Sequence, residues 1–185
     1  MTDRAVFDAC VLYPASLRDL LLRLGRAGLT VPRWTNTILD EMVDALLEHH
    51  AHLDRPRLDR TRRLMCEAIP ECLVEDYEHL IDGLELPDPD DRHVLAAAIR
   101  CEARTIVTAN LDDFPETALS EHGVVAKHPD AFVHEMVTDD PDRVAGVIHE
   151  QSSALRSPPQ TVEDLLTRLE RNGLKRTVQM LRDQT

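Results

Sequence analysis

Several polar residues in this chain stand where carboxylate chemistry could be done. Asp91 opens the run Asp88-Pro89-Asp90-Asp91-Arg92-His93-Val94-Leu95-Ala96-Ala97-Ala98. At 3.6 residues per turn it falls on the face of Val94, Leu95 and Ala98, pointing toward the protein body or the rim of a cleft. A carboxylate there is costly to desolvate unless a cation compensates it. Asp8 ends the apolar run Ala5-Val6-Phe7, and Glu41 lies early in the helical segment Thr37 to Glu48. Asn110, Asp112 and Asp113 follow the strand-like Thr105-Ile106-Val107-Thr108.

In a parallel α/β sheet, residues just past the strand C-termini converge on one edge, where such folds bind ligands. Two carboxylates ~4 Å apart repel by about 4 kcal/mol at an effective dielectric of 20, so a cluster of them needs neutralising. A hard divalent cation suits an all-oxygen site, and Mg²⁺ commonly takes one or two carboxylates with waters and a substrate phosphate. The chemistry this points to is phosphodiester hydrolysis. Taken singly, the residues have plainer explanations. Asp91 could complement a helix dipole, a contribution of ~0.3 to 1 kcal/mol, and Asp8, Asp112 and Asp113 could be turn residues. Glu41 lies off the Ile38, Met42 and Leu46 stripe, where a solvated acid is ordinary.

The elements that must position these residues alternate short β-like runs with helices, as expected for an α/β fold with a central, mostly parallel sheet and helices on its faces. Strands are predicted at about Ala5 to Asp8, near Leu29 to Pro32, at Thr105 to Thr108 and at Gly123 to Ala126, with Cys72-Leu73-Val74 a brief strand or extended connector. Leu17, Leu20, Leu21 and Leu24 mark one helix, and Arg57 to Ala68 another, with Leu58, Met65 and Leu64 as inward candidates. The helix that carries Asp91 is predicted to start with Asp88 as N-cap and Pro89 in the first turn, and to run to about Ala103.

Pro129 to Val137 is the last helix of this unit, and a boundary near residue 138 divides the chain into 1–137 and a helical C-terminal tail, 138–185. In the tail, Pro141 starts a helix and Pro158-Pro159 interrupts the chain. Val162, Leu165, Leu166 and Leu169 form a stripe behind a Thr161/Asp164 capping box, and Asn172-Gly173 ends that helix before Leu174, Val178 and Leu181. Such a hairpin must pack on the main domain, on a second copy or on another protein.

With 185 residues, 43% of them hydrophobic, the chain can bury a real core. Cys10, Cys66, Cys72 and Cys101 make no C-x-x-C pair, which fits a reducing compartment, the cytoplasm. The charged Met1-Thr2-Asp3-Arg4 start and the lack of a long apolar run argue against a leader or a membrane span. A formal charge of −13 opposes indiscriminate nucleic-acid binding. The basic stretch Arg55 to Arg63 nevertheless leaves Arg55, Arg57 and Arg60 as candidate RNA contacts, against the plainer reading of a solvated helix face. His49, His50 and His52 lack two further ligands at zinc spacing, and His93 is expected at the surface. No phosphate-binding glycine loop or hydrolase elbow is present.

Together these positions resemble the PIN domain, specifically the VapC-type ribonuclease toxins of bacterial toxin–antitoxin pairs. Val6-Phe7-Asp8-Ala9-Cys10-Val11-Leu12 is similar to the family's opening strand with its first metal-site Asp, and Asp91 through Ala98 to its third acidic motif. Thr108-Ala109-Asn110-Leu111-Asp112-Asp113-Phe114 is similar to the late Thr-x-Asn-x-x-Asp-Phe pattern. The resemblance spans roughly residues 4 to 137. It implies a PIN-like three-layer α/β/α sandwich in which Asp8 and Asp91 bind Mg²⁺ or Mn²⁺, Glu41 completes or orients the site, and Asn110 or Asp113 fills the fourth position. It also implies RNA cleavage, an antitoxin that plugs the acidic pocket with a basic side chain, and a homodimer. Cys10 departs from the Asn or Ser often found there and removes a strong hydrogen-bond donor beside Asp8. With the negative charge, this departure motivates the alternative of a catalytically silent PIN-fold binding or assembly module.

Overall fold

The computed structural model describes residues 3–155 and 159–183, so the expectations placed on Met1, Thr2 and Pro158 lie outside the described residues. Four short strands, β1 (Arg4–Phe7), β2 (Val31–Arg33), β3 (Thr105–Val107) and β4 (Val125–Lys127), form one sheet in the order β2-β1-β3-β4. Every pairing is parallel: Ala5 stands opposite both Pro32 and Thr105, and Ile106 stands opposite Ala126. β1 and β3, the inner strands, are buried almost throughout, as their unbroken apolar runs require in a sheet covered on both faces. The Cys72-Leu73-Val74 segment is an extended connector: Trp34 donates to the Cys72 carbonyl and Val74 to the Trp34 carbonyl, one isolated parallel bridge beyond β2.

After β1 come α1 (Ala9–Leu12) and α2 (Ala15–Arg26), the latter burying Leu17, Leu20, Leu21 and Leu24. α3 (Asn36–His49) is N-capped by Thr35, and α4 (Arg55–Ala68) by Asp54. α4 buries Leu58 and Met65, but Leu64 is 49% exposed. Seven residues return almost to the same helix face, whereas six leave the side chain well around the cylinder. α5 (Glu78–Ile81) is a single turn.

The segment expected to be one helix from Asp88 is split into a 3-10 turn, Pro89–Asp91, followed by α6 (Arg92–Arg100). His93, Val94, Leu95, Ala96, Ala97 and Ala98 are all buried, so α6 is enclosed around nearly its whole circumference instead of presenting one apolar face. The alanines allow this, because a small side chain can meet a neighbouring element on any side.

The remaining helices are α7 (Glu116–Leu119), α8 (Pro129–Asp139), α9 (Pro141–Ala154), α10 (Val162–Arg171) and α11 (Lys175–Asp183). α10 begins with the Thr161/Asp164 capping box and ends before Gly173, whose φ of 100° only glycine adopts freely. Of the three coverings open to the tail's stripe, the structure shows the main domain. Leu165, Leu166, Leu169, Leu174, Val178 and Leu181 belong to the same buried cluster as the sheet's Val6, Phe7 and Ile106. Asp130, at the start of α8, anchors the arrangement. Its carboxylate accepts from the backbone N–H of Arg176 at 3.0 Å and of Thr177 at 2.9 Å, and from the Thr177 hydroxyl at 2.7 Å. It therefore supplies a buried anionic cap to the N-terminus of α11. No helix among the described residues is long and apolar enough to cross a membrane.

Candidate active site

Asp8 follows β1 as the N-cap of α1, with its side chain buried, 6% exposed, at the C-terminal edge of the sheet. One carboxylate oxygen accepts from the Ala9 N–H at 2.7 Å, and the other accepts from the Thr108 hydroxyl at 2.7 Å and the Cys10 thiol at 3.1 Å. Thr108 follows β3 on the neighbouring strand and is fully buried. Its oxygen also accepts from the Asn110 N–H at 3.0 Å, so one hydroxyl ties the Asp8 carboxylate to the loop that carries Asn110 and Asp113. Support for Asp8 therefore comes from across the sheet: Thr108 supplies the strong donor and Cys10 a weak one. Burial, followed by the Asp8 charge, pushes the Cys10 thiol up to about 12, so it stays protonated and remains a donor.

Replacing Thr108 with Val keeps the shape but removes the hydroxyl, leaving a buried Asp8 oxygen with only a thiol. We expect Thr108→Val to cost about 1–3 kcal/mol in denaturant unfolding, with Thr108→Ser restoring that stability. A Val variant as stable as the parent would show that Thr108 does not hold Asp8.

Asp91 closes the 3-10 turn ahead of α6. The cap expected of Asp88 is present: its carboxylate accepts from the Asp90 N–H at 2.9 Å, while Asp91 stands at the N-terminus of α6, where its charge also faces the helix dipole. The Asp91 side chain caps nothing. Partial burial, then the negative charges of Asp8, Asp113 and Asp88, push its carboxyl up to about 6, with nearby His93 acting in the opposite direction. Burial is the largest cause, and the charges of Asp8, Asp113 and Asp88 add to it, so these carboxylates lie within electrostatic reach of Asp91.

Because the folded chain holds this proton more tightly than the unfolded chain, whose value is 3.8, the resulting stability is full below 3.8 and is lost as pH rises through about 6. Above that pH the ionised group is a net cost. The full shift corresponds to roughly 3 kcal/mol, which solvent access to a partly exposed carboxylate reduces to about 1 kcal/mol. We therefore expect Asp91→Asn to raise Tm by about 2–4 °C at neutral pH in chelator, and to do nothing below pH 4. A lower Tm at neutral pH would contradict the repulsion.

Glu41, on α3, is 43% exposed and meets α6: its Oε1 lies 2.7 Å from His93 Nε2. The approach is not aligned as a hydrogen bond, and the His93 ring nitrogens have no other partner among the described residues, so the contact is electrostatic. His93 itself is buried, not at the surface as expected. Two residues after Asp91 it turns away from that carboxylate, but α6 is covered on that side by α3 as well. It is the site residue the sequence reading missed, together with Thr108. A polar residue inside an otherwise wholly apolar helix was the signal available.

Asn110 and Asp112 are exposed and Asp113 is half-buried. Of the three, Asp113 is the one whose charge acts on Asp91. The charges of Asp8 and Asp113 thus both reach Asp91, and Glu41 lies against His93, whose charge also bears on Asp91. Among the described residues no three His, Cys, Asp or Glu side chains already close on one point as a metal cage. The donor set, a buried Asp8 with the half-buried, mutually repelling Asp91 and Asp113, still fits a hard divalent cation that takes one or two carboxylates and keeps its waters.

Of the basic stretch, Arg55 is engaged by Asp40, Asp44 and Asp59, and Arg62 by Asp40. Arg57 and Arg60 form no ion pair among the described residues.

A parallel four-stranded sheet with acidic residues at its C-terminal edge defines a class, and sequence comparison agrees with it. A family model described as PIN domain matches residues 4–112, so the chain belongs to the PIN domain family. A second model, described as VapC50 C-terminal domain, matches residues 129–183, from the start of α8 through α11. A protein of Mycobacterium tuberculosis (strain ATCC 25618 / H37Rv) named "Putative ribonuclease VapC50" is 42% identical over 79 residues, a stretch covering 43% of this chain and 47% of that relative. The match thus spans about half of the relative's length. No solved structure matches the chain.

Proposed function

We propose that this protein is an endoribonuclease dependent on Mg²⁺ or Mn²⁺, the toxin of a type II, VapBC-like toxin–antitoxin pair. The observation that carries the reading is Asp8 buried past β1 and tied through Thr108 to the loop of Asn110 and Asp113, with the charges of Asp8 and Asp113 bearing on Asp91. The PIN domain match and the similarity to a protein named as a ribonuclease support it.

Asp8 and Asp91 would hold the cation, with Asp113, or Asn110 beside it, completing the donor set and Asp112 outside it. When bound, the cation supplies a water of lowered pKa and positive charge for the phosphate. The chain's own residues do the rest. Thr108, Ala9 and Cys10 fix the Asp8 carboxylate so that its orientation does not have to be acquired during reaction. Asp91, whose carboxylate makes no side-chain cap bond to α6, would be free to face the ligand. Glu41, held against His93, would orient a water or accept its proton.

An antitoxin would occupy the same acidic edge with a basic side chain. We also carry forward a cytoplasmic location, a homodimer, and the division into a nuclease unit, 1–137, and a helical extension, 138–185. Incubating the pure chain with RNA in Mg²⁺ or Mn²⁺ tests the reading: strand cleavage that stops on chelation is expected. If no RNA is cut in either cation and partner binding persists, the chain is a silent PIN-fold binding or assembly module instead.

A further inference from the structure

Between the α1–α2 junction with the start of α2, the end of α3, the start of α4 and α10 lies a cleft of about 560 Å³. It lies about 13 Å along α3 from Glu41, nine residues at 1.5 Å rise, and it opens beside Tyr13, five residues beyond Asp8. Its floor is aromatic. The Tyr13 and His50 rings are stacked, with centroids 6.0 Å apart and planes inclined by 29°, and the Tyr13 hydroxyl lies 3.1 Å from His50 Nε2. His52 stands edge-on to His50 at 5.6 Å.

Arg57 from α4 and Arg168 from α10 stand on the rim, with Asn172 beside Arg168. Among the described residues neither guanidinium is in an ion pair, whereas Arg55 and Arg62, on the same α4, are neutralised by α3 carboxylates. In a chain of net charge −13 this leaves a local positive rim around a ring platform. That combination suits a single-stranded nucleic acid, whose bases stack on rings while its phosphates meet arginines.

We propose that this cleft binds a nucleotide of single-stranded RNA away from the cleavage site, and that the C-terminal extension serves to build its wall through Arg168 and Asn172. The choice of RNA as ligand rests on the ribonuclease reading above. A base lies against Tyr13 and His50, its phosphates lie between Arg57 and Arg168, and the strand continues along α1 toward Asp8. The cleft would set which part of an RNA reaches the carboxylates.

The test uses the full chain carrying Asp91→Asn, which binds without cutting, and a fluorescent single-stranded RNA followed by anisotropy. Arg57→Ala with Arg168→Ala should weaken binding about tenfold and lower the salt slope by roughly 1.4, two phosphate contacts on a single strand. Both arginines are exposed, so folding is not at risk. His50→Ala should weaken binding about tenfold while His50→Phe, which keeps a stacking face, stays within about twofold. On the Asp91 background, the same changes should raise KM and leave kcat.

Photocrosslinking of a 5-bromouracil-substituted strand should give adducts on Tyr13 or His50, and adducts found only elsewhere overturn the proposal. Unchanged Kd, salt slope and KM in the arginine pair also overturn it, even if the chain is an active ribonuclease. Conversely, binding that depends on the cleft with no cleavage by the parent chain supports the cleft and sinks the catalytic reading, so the two failures are distinguishable.

Discussion

Asp8→Asn and Asp91→Asn should each lower the rate of RNA cleavage at least about a thousandfold, some 4 kcal/mol of transition-state stabilisation. Both substitutions are isosteric, and both remove charge from the proposed cation site. They differ in what else they disturb. Asp8 is buried under three donors, from Ala9, Thr108 and Cys10, which both of its oxygens accept. Its amide replacement must turn an NH₂ away from one of them, so Asp8→Asn should also destabilise the fold, by about 1–3 kcal/mol.

Asp91→Asn, by contrast, relieves repulsion and leaves an inactive protein that is somewhat more stable. The pair therefore separates catalysis from folding: loss of activity with opposite changes in Tm is the expected signature. The parent's Tm should rise on adding Mg²⁺ at neutral pH, and less so below pH about 6, where Asp91 takes up its proton and gives up a ligand. Either variant cutting RNA at the parental rate would remove the carboxylates from the mechanism.

The second large effect concerns the join between the sheet and the tail. Asp130→Ala should cost about 2–4 kcal/mol, because it removes the acceptor of the Arg176 and Thr177 N–H groups, the latter buried, and leaves the Thr177 hydroxyl only the backbone carbonyl of residue 130. Despite the opposing effect of burial, hydrogen bonds from Thr177 and Arg176 hold the Asp130 carboxyl below its ordinary 3.8. A depressed value means stability that is present above 3.8 and lost as pH falls through the lower folded value. Denaturant titration at neutral pH measures the loss, and in Asp130→Ala the acid limb of the stability curve should flatten below 3.8. If the cleft beside Arg168 takes RNA, binding should weaken along with the docking of α10 and α11. A variant with parental stability would mean that apolar packing alone seats the tail.

Apolar periodicity made most of the elements legible. Leu17, Leu20, Leu21 and Leu24 repeat as a helix face must, and Thr105-Ile106-Val107 is too short and too β-branched to be anything but a buried strand. Asp88 was readable as a cap and Thr161 with Asp164 as a capping box, because capping is chemistry within four residues. The split after Asp91 and the exposure of Leu64 were less accessible. The first depends on how tightly a turn winds and the second on one step of rotation, and neither alters the local pattern.

The site divides along the same line. The sequence by itself determined the carboxylates, Asp8 and Asp91 above all, and the argument that they repel, since charge and its place past a strand are local properties. Only the tertiary structure decided what supports them. Thr108 lies a hundred residues from Asp8 and His93 about fifty from Glu41, and nothing in either neighbourhood announces its partner. Packing chooses such pairs: β3 lies beside β1, which brings the Thr108 hydroxyl to a buried oxygen that must be satisfied. The tail's stripe was likewise visible as unfinished, but its covering depended on the free surface left by α2, α8 and α9. That is a property of the whole folded body and not of any segment.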